Sequence, residues 1–141
     1  MKTKIVLSAA IATFNEEENI TACLESVKTL VDEIIIVDGT STDKTVQIAK
    51  SLGAKVTVTK NHPIFHINKQ KSFDLALGEW ILYLDADERV SPELAREIKN
   101  VINLSNSKIE EHQKNLEKKN LFLRHQKLLV QRDGAIGTKE G

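Results

Sequence analysis

Cysteine, glycine-rich phosphate motifs, long apolar runs and an excess of one charge are all missing or nearly so. Cys23 is the single cysteine among 141 residues, so an intramolecular disulfide and a multi-cysteine zinc site are excluded. No apolar run approaches the ~18 residues that span a membrane as a helix. Lys and Arg total 20 and Asp and Glu total 20, a formal charge of zero, which argues against a general nucleic-acid binder. No G-x-G-x-x-G follows the first apolar run and no G-x-x-x-x-G-K-[ST] occurs. The usual sequence cradles for dinucleotides and triphosphates are therefore missing, which argues against a site of either kind.

What is present reads as a globular α/β chain. Hydrophobic residues make up 40% and charged residues 28%, ordinary values for a soluble domain. The length suits one domain, or one and a fraction. Charge is unevenly spread: residues 1–104 hold 12 basic and 15 acidic residues, a net of −3, whereas residues 105–141 hold 8 and 5, a net of +3.

Apolar runs and helical periods alternate along the first part. The N-terminus imitates a secretory leader, with Met1-Lys2-Thr3-Lys4 before an apolar Ile5–Ala12, but that run is short and passes straight into a polar motif. A first buried strand over Ile5–Thr13 is the better reading. Asn15 is expected to cap a helix, with Glu18 as the reciprocal acid and Ile20, Cys23, Leu24, Val27 and Val31 on its apolar face. Glu33–Asp38 is a second buried strand. Thr40, Ser41 and Thr42 offer caps for a helix holding Val46, Ala49 and Leu52, which Gly53 closes. Lys55–Lys60 alternates as an edge-like strand. Ile67–Leu77 is a helix with Gly78 as its stop, and Trp80–Leu84 is a fourth strand. Ser91-Pro92 opens a helix with Leu94, Ile98, Val101 and Ile102 inside. Such alternation predicts a mostly parallel sheet with helices on both faces.

The tail differs. Ser105-Asn106-Ser107 marks a boundary, and residues 108–133 can form one long helix. Ile109, Leu116, Leu123 and Val130 recur every seven residues but have polar companions, which fits a solvated helix better than a coiled coil. Residues 134–141 read as a frayed end.

In an open parallel sheet, ligands bind beyond the carboxyl ends of the strands. Three polar clusters are placed there: Thr13-Phe14-Asn15-Glu16, Asp38-Gly39-Thr40-Ser41 and Asp85-Ala86-Asp87. Each alone could be a turn or a helix cap. Two carboxylates one residue apart can also converge on Mg²⁺, which favours few protein carboxylates plus substrate phosphate oxygens. Lys69 and Lys71, on the helix before strand four, could reach the same edge. His62 and His66 read as loop residues, and Cys23 as core.

The chain resembles the family 2 glycosyltransferases of the GT-A fold, and within them the bacterial branch that builds lipopolysaccharide cores and related surface glycans. The resemblance rests on Ile11–Glu17 (IATFNEE), on Asp32–Thr45 (DEIIIVDGTSTDKT) and on Gly78–Arg89 (GEWILYLDADER), in family order and spacing. It covers roughly residues 5–102 and implies a Rossmann-like, nucleotide-sugar-binding half over residues 1–104 with a C-terminal helix in a tail over 105–141. It also implies that Thr13, Asn15 and Glu16 line the nucleotide pocket, that Asp38 hydrogen-bonds the base or ribose, and that Lys69 lies near the diphosphate. Asp85 would face the ribose or sugar, and Asp87, with Asp85, would hold a divalent metal, Mg²⁺ or Mn²⁺. Gln70 stands where the family usually has Asn.

The implied activity is transfer of a sugar from a nucleotide-sugar donor, a UDP-sugar foremost, to a glycan or lipid-linked acceptor, with inversion. No nucleic acid is implied. The implied location is cytoplasmic, extending to the inner face of the cytoplasmic membrane. The family normally continues well past the D-x-D to supply the acceptor site and base. Lys119–Leu123 faintly matches its R-K-N-x-F-L stretch, but G-W-x-x-D and R-L-F do not follow. A truncated or frameshifted frame, or a fragment, is the expectation, with no base among these residues, an uncovered sheet edge and self-association. Glu88 and Glu93 are explained as partners of the helix start.

Two alternatives remain. A haloacid-dehalogenase-like phosphatase also keeps a D-x-D at a strand end, but on an early strand followed by Gly-Thr or Val, not before Glu88-Arg89. A catalytically silent nucleotide-binding remnant is the non-enzyme alternative.

Overall fold

The computed structural model describes residues 4–60, 65–103 and 129–131. Its elements follow in the order β1 (Leu7–Thr13), α1 (Ile20–Val27), β2 (Glu33–Asp38), α2 (Thr45–Ser51), β3 (Lys55–Val58), α3 (Phe65–Leu75), β4 (Trp80–Tyr83), α4 (Pro92–Ile102) and β5 (Leu129–Gln131). The strands form one sheet in the order β3-β2-β1-β4-β5. The first four are parallel, and β5 pairs with β4 antiparallel.

Burial explains this order. Every residue of β1 and β2 is buried, as expected of strands covered on both faces. On one face Leu7, Ala9, Ile11, Ile34 and Ile36 pack with Ile20, Leu24 and Val27 of α1, Ala49 of α2, and Ile98 and Val101 of α4. Alternate residues Ala10, Ile35 and Ile81 point to the other face, where Ala76 and Phe73 cover them. Phe73 also stacks on Tyr83, with ring centroids 5.4 Å apart. The chain moves outward from β1 to β3, then crosses back beneath the sheet through α3 to enter β4 on the other side of β1. That reversal creates a crevice between the carboxyl ends of β1 and β4, where an open α/β sheet binds its ligands. Edge strand β3 is largely exposed, as its alternation predicts.

Several local expectations need correction. Asn15 does not cap α1, which begins only at Ile20 behind Asn19. Asn15 instead adopts φ 53°, and its side chain reaches across to the next loop. Thr40, Ser41 and Thr42 do not cap α2 either. That helix starts at Thr45, whose amide donates to Asp43 Oδ1 at 2.9 Å. Helix α3 lies two residues earlier than expected, ending at Leu75. Ser91 does cap α4, accepting from the Leu94 amide at 3.1 Å.

Gly78 lies beyond the end of α3, so it acts by close approach and not as a helix stop. A Cβ there would meet Ser8 Oγ at 2.7 Å, the Trp80 carbonyl oxygen at 2.8 Å and the Ser8 amide nitrogen at 2.9 Å. Two of these are backbone atoms of neighbouring strands and cannot turn aside. Gly78→Ala should therefore cost about 1–3 kcal/mol, the scale of overpacking. Urea unfolding checks this, and a loss within about 0.5 kcal/mol, typical of a neutral surface change, would contradict it.

The long C-terminal helix is corrected at its far end. Residues 129–131 form strand β5, aligned with Leu82, Ile81 and Trp80 of β4. The outer backbone groups of β4 need partners, and tertiary pairing outweighs the helical preference of so short a segment. The open edge expected beside the fourth strand is thus closed, by a segment that the sequence places in a separate tail. Residues 108–128 and 132–133 of the expected helix, the boundary at 105–107, the end at 134–141 and His62 lie outside the described residues.

Candidate nucleotide and metal site

Strand ends carry all three polar clusters to one edge of the sheet. Thr13 ends β1 beside Asp38, which ends β2 in register with it. Asp85 to Glu88 form the turn that follows β4.

Asp38 is fully buried. Its Oδ1 accepts from Thr13 Oγ1 at 2.6 Å and Ser41 Oγ at 2.7 Å, and its Oδ2 accepts from the Ser41 amide at 2.7 Å. A buried carboxylate with three donors is an internal acceptor. Asp38 therefore fixes the β2–α2 loop against β1.

The loops after β1 and β2 are laced together. The Asn15 amide donates to Ser41 Oγ at 2.7 Å, and the Thr42 amide donates to Asn15 Oδ1 at 2.8 Å. The Glu16 amide donates to Thr45 Oγ1 at 2.8 Å, and the Lys44 amide to Glu17 Oε1 at 3.0 Å. The Glu17 amide donates to Asp43 Oδ2 at 3.2 Å. Although Asp43 loses some hydration, hydrogen bonds from Thr45 and Glu17 hold its carboxyl below the ordinary 3.8. These bonds hold Thr13, Asn15 and Glu16 against the loop after β2. Sequence reasoning missed Glu17, Asp43 and Thr45 in this role. Their only signal was membership in the same two polar stretches.

Across the crevice, the Lys69 ammonium pairs with Asp85 Oδ1. The Asp85 turn is closed by its amide donating to Glu88 Oε1 and by the Glu88 amide donating to the Asp85 carbonyl, both at 2.9 Å. Asp87 is exposed and makes no hydrogen bond or ion pair among the described residues. Lys71 is exposed; Lys69, not Lys71, reaches the site.

Several of these acids lie around Cys23. Its buried thiol donates to the Asp85 carbonyl at 3.6 Å. Burial first, then the negative charges of Glu88, Asp87, Asp85 and Glu16, push the thiol up to about 12. Glu16 thus acts on the same thiol as the Asp85–Glu88 turn. Acids at the strand ends, with Lys69 paired to Asp85, suit a cation and the phosphates it accompanies. Among the described residues no group of three or more His, Cys, Asp and Glu is placed to hold a metal ion. Two carboxylates, one of them unengaged, still fit Mg²⁺ or Mn²⁺ that keeps its other positions for water and phosphate oxygens.

Comparison with known proteins gives this edge its context. The family described as glycosyl transferase family 2 matches residues 8–126. An uncharacterized glycosyltransferase of Rickettsia typhi is 48% identical over 94 residues, covering 65% of this chain and 31% of that protein. The chain therefore spans about a third of the length of the curated relatives it matches. S. aureus TarS 1–349 in complex with UDP superposes with a TM-score of 0.59 at 27% identity, over 70% of this chain and 32% of that one. Glucosyl-3-phosphoglycerate synthase from Mycobacterium tuberculosis with UDP gives 0.53 at 26% identity, over 60% and 34%. With the sheet order, the polar edge and the match over most of its residues in agreement, the chain belongs to glycosyltransferase family 2.

Proposed function

We propose that this chain is the donor-binding part of a glycosyltransferase that takes a sugar from a UDP-sugar, with the nucleotide seated in the crevice between β1 and β4. The observation that carries the reading is the juxtaposition there of the preset Thr13–Glu16 loop with Lys69, Asp85 and the unengaged Asp87. Thr13, Asn15 and Glu16 frame the nucleoside, and Asp38 supports them from beneath. Lys69 offers positive charge to the diphosphate. Asp87, with Asp85, would hold Mg²⁺ or Mn²⁺, which would neutralise charge on the departing nucleoside diphosphate.

Transfer needs a base to take the proton of an acceptor hydroxyl as it attacks the anomeric carbon. Two acids near the site have other roles. Glu88 is spent on the Asp85 turn, and Glu93 lies in the first turn of α4. The chain's own share is donor binding. The acceptor we propose is a glycan or lipid-linked glycan of the lipopolysaccharide kind, met in the cytoplasm or at the inner membrane face. Among the described residues no helix is long and apolar enough to cross a membrane.

Calorimetric titration with UDP tests the reading. Binding that strengthens with Mn²⁺ and weakens with a chelator is expected. No UDP binding in either condition would contradict the site, and equal affinity in both would contradict the metal. A transfer assay run beside it separates donor binding from turnover.

A further inference from the structure

Among the described side chains, the half of α3 that carries Lys69 has little apolar anchorage. Their apolar packing on the sheet comes from Phe73, and from Ala76 just past the end of the helix. Ile67, near the start of the helix, is exposed. Ser72 is buried but its hydroxyl donates within the helix, to the Lys69 carbonyl at 2.7 Å. Asn68 is the exception. It is only 5% exposed, and its Oδ1 lies 3.2 Å from Thr59 Oγ1, which can donate to it. That hydroxyl also lies 3.2 Å from the Lys60 carbonyl and 3.5 Å from the Asp38 carbonyl, so three acceptors share its proton.

Thr59 is in turn fixed to the loop after β2. Its amide donates to the Asp38 carbonyl at 2.7 Å, and its own carbonyl accepts from Thr40 Oγ1. Thr40 sits at φ 68°, a left-handed conformation that is rare for a β-branched residue. Strain of this kind persists only where the surroundings impose it. Here it aims the Thr40 hydroxyl at Thr59. A continuous path thus runs from Asp38 and Thr40, through Thr59 and Asn68, to the helix turn that presents Lys69 to Asp85.

We propose that Thr59 and Asn68 are positioning residues that couple the loop after β2 to Lys69, and so set the reach of its ammonium group onto a donor diphosphate. This rests on the donor-site reading above. The shape-conserving Thr59→Val removes the hydroxyl, and Thr59→Ser keeps it. With Mn²⁺ present, Thr59→Val should weaken UDP binding about fivefold, the share of one ordinary hydrogen bond, and leave uridine binding unchanged. Thr59→Ser should restore UDP binding. In a Lys69→Met background Thr59→Val should cost nothing further, since coupled residues are non-additive.

Equal losses for UDP and uridine would reduce Thr59 to a structural role and overturn the proposal. So would a loss that persists in Lys69→Met. If the unmutated chain binds no UDP, the donor-site reading fails by itself, and amide NMR then decides the coupling. Thr59→Val must shift the Lys69 and Asp85 amide resonances and Thr59→Ser must leave them in place; unmoved resonances in Thr59→Val would overturn it.

Discussion

Glu33→Ala should remove about 2–4 kcal/mol of folding stability, although Glu33 sits at the edge of the sheet opposite the candidate site. Its side chain is 2% exposed. Oε2 accepts from Ser8 Oγ at 2.6 Å and from the Leu77 amide at 2.7 Å, and Oε1 accepts from Lys55 Nζ at 3.1 Å. Ser8 Oγ in turn accepts from the Gly78 amide at 2.9 Å. One carboxylate thus ties β1, β2, β3 and the connection between α3 and β4. Alanine would strand the Ser8 hydroxyl and the Leu77 amide, and each buried donor left unmade costs about 1–3 kcal/mol. Glu33→Gln keeps an acceptor and should lose less. A loss below about 1 kcal/mol for Glu33→Ala in urea unfolding, an ordinary single-substitution effect, would contradict this account.

The same group makes stability depend on pH. Burial alone would raise the Glu33 carboxyl, but hydrogen bonds from Ser8, Leu77 and Lys55 outweigh it and hold the group below its ordinary 4.5. The folded state therefore binds this proton less readily than the unfolded state. Its contribution is complete above the ordinary value and is lost as pH falls through the lower, folded value. Acid unfolding of the unmutated chain should be steeper below 4.5 than that of Glu33→Gln.

Asp87→Ala should have the opposite profile, with no measurable change in stability and loss of metal-dependent nucleotide binding. Asp87 is exposed and holds nothing among the described residues, so its removal leaves no buried group unpaired. Changing a group that merely supports a metal ligand costs about 10–100-fold in metal affinity. On that scale, removing a ligand itself should cost at least ~100-fold. UDP titrations at fixed Mn²⁺, beside thermal melts, check both halves. Unaltered Mn²⁺ dependence in Asp87→Ala would remove this residue from the metal site, and a large drop in melting temperature would assign it a structural role instead.

Repetition made the fold legible. The buried runs at Leu7–Thr13 and Glu33–Asp38, and the helical stripe of Ile98 and Val101, obey simple periods that survive into the structure. The polar clusters at the strand ends were legible for the same reason: once the strands are parallel, their carboxyl ends share an edge. Connections between distant residues carry no such period. Asn15 follows the pattern of a helix cap, yet its partner is Thr42, in the next loop. Asp38 ends a strand at the right edge, but nothing in its own stretch shows that three donors hold it from within. Glu33 reads as the ordinary start of a strand, and its buried role depends on Leu77 and Ser8. Strand β5 was hidden because the groups that recruit it belong to the outer edge of β4, not to its own residues.

Paramagnetic broadening by Mn²⁺ in the presence of UDP tests the central claim most directly. The two edges of the sheet are separated by the length of its strands, ~20 Å for six or seven residues, and broadening falls steeply with distance. The amides of Asn15, Glu16 and Asp85 to Glu88 should vanish first, while those of Glu33, Leu77 and Gly78 at the opposite edge should persist. Uniform broadening, or broadening centred on the Glu33 edge, would contradict a nucleotide and metal site in the crevice between β1 and β4.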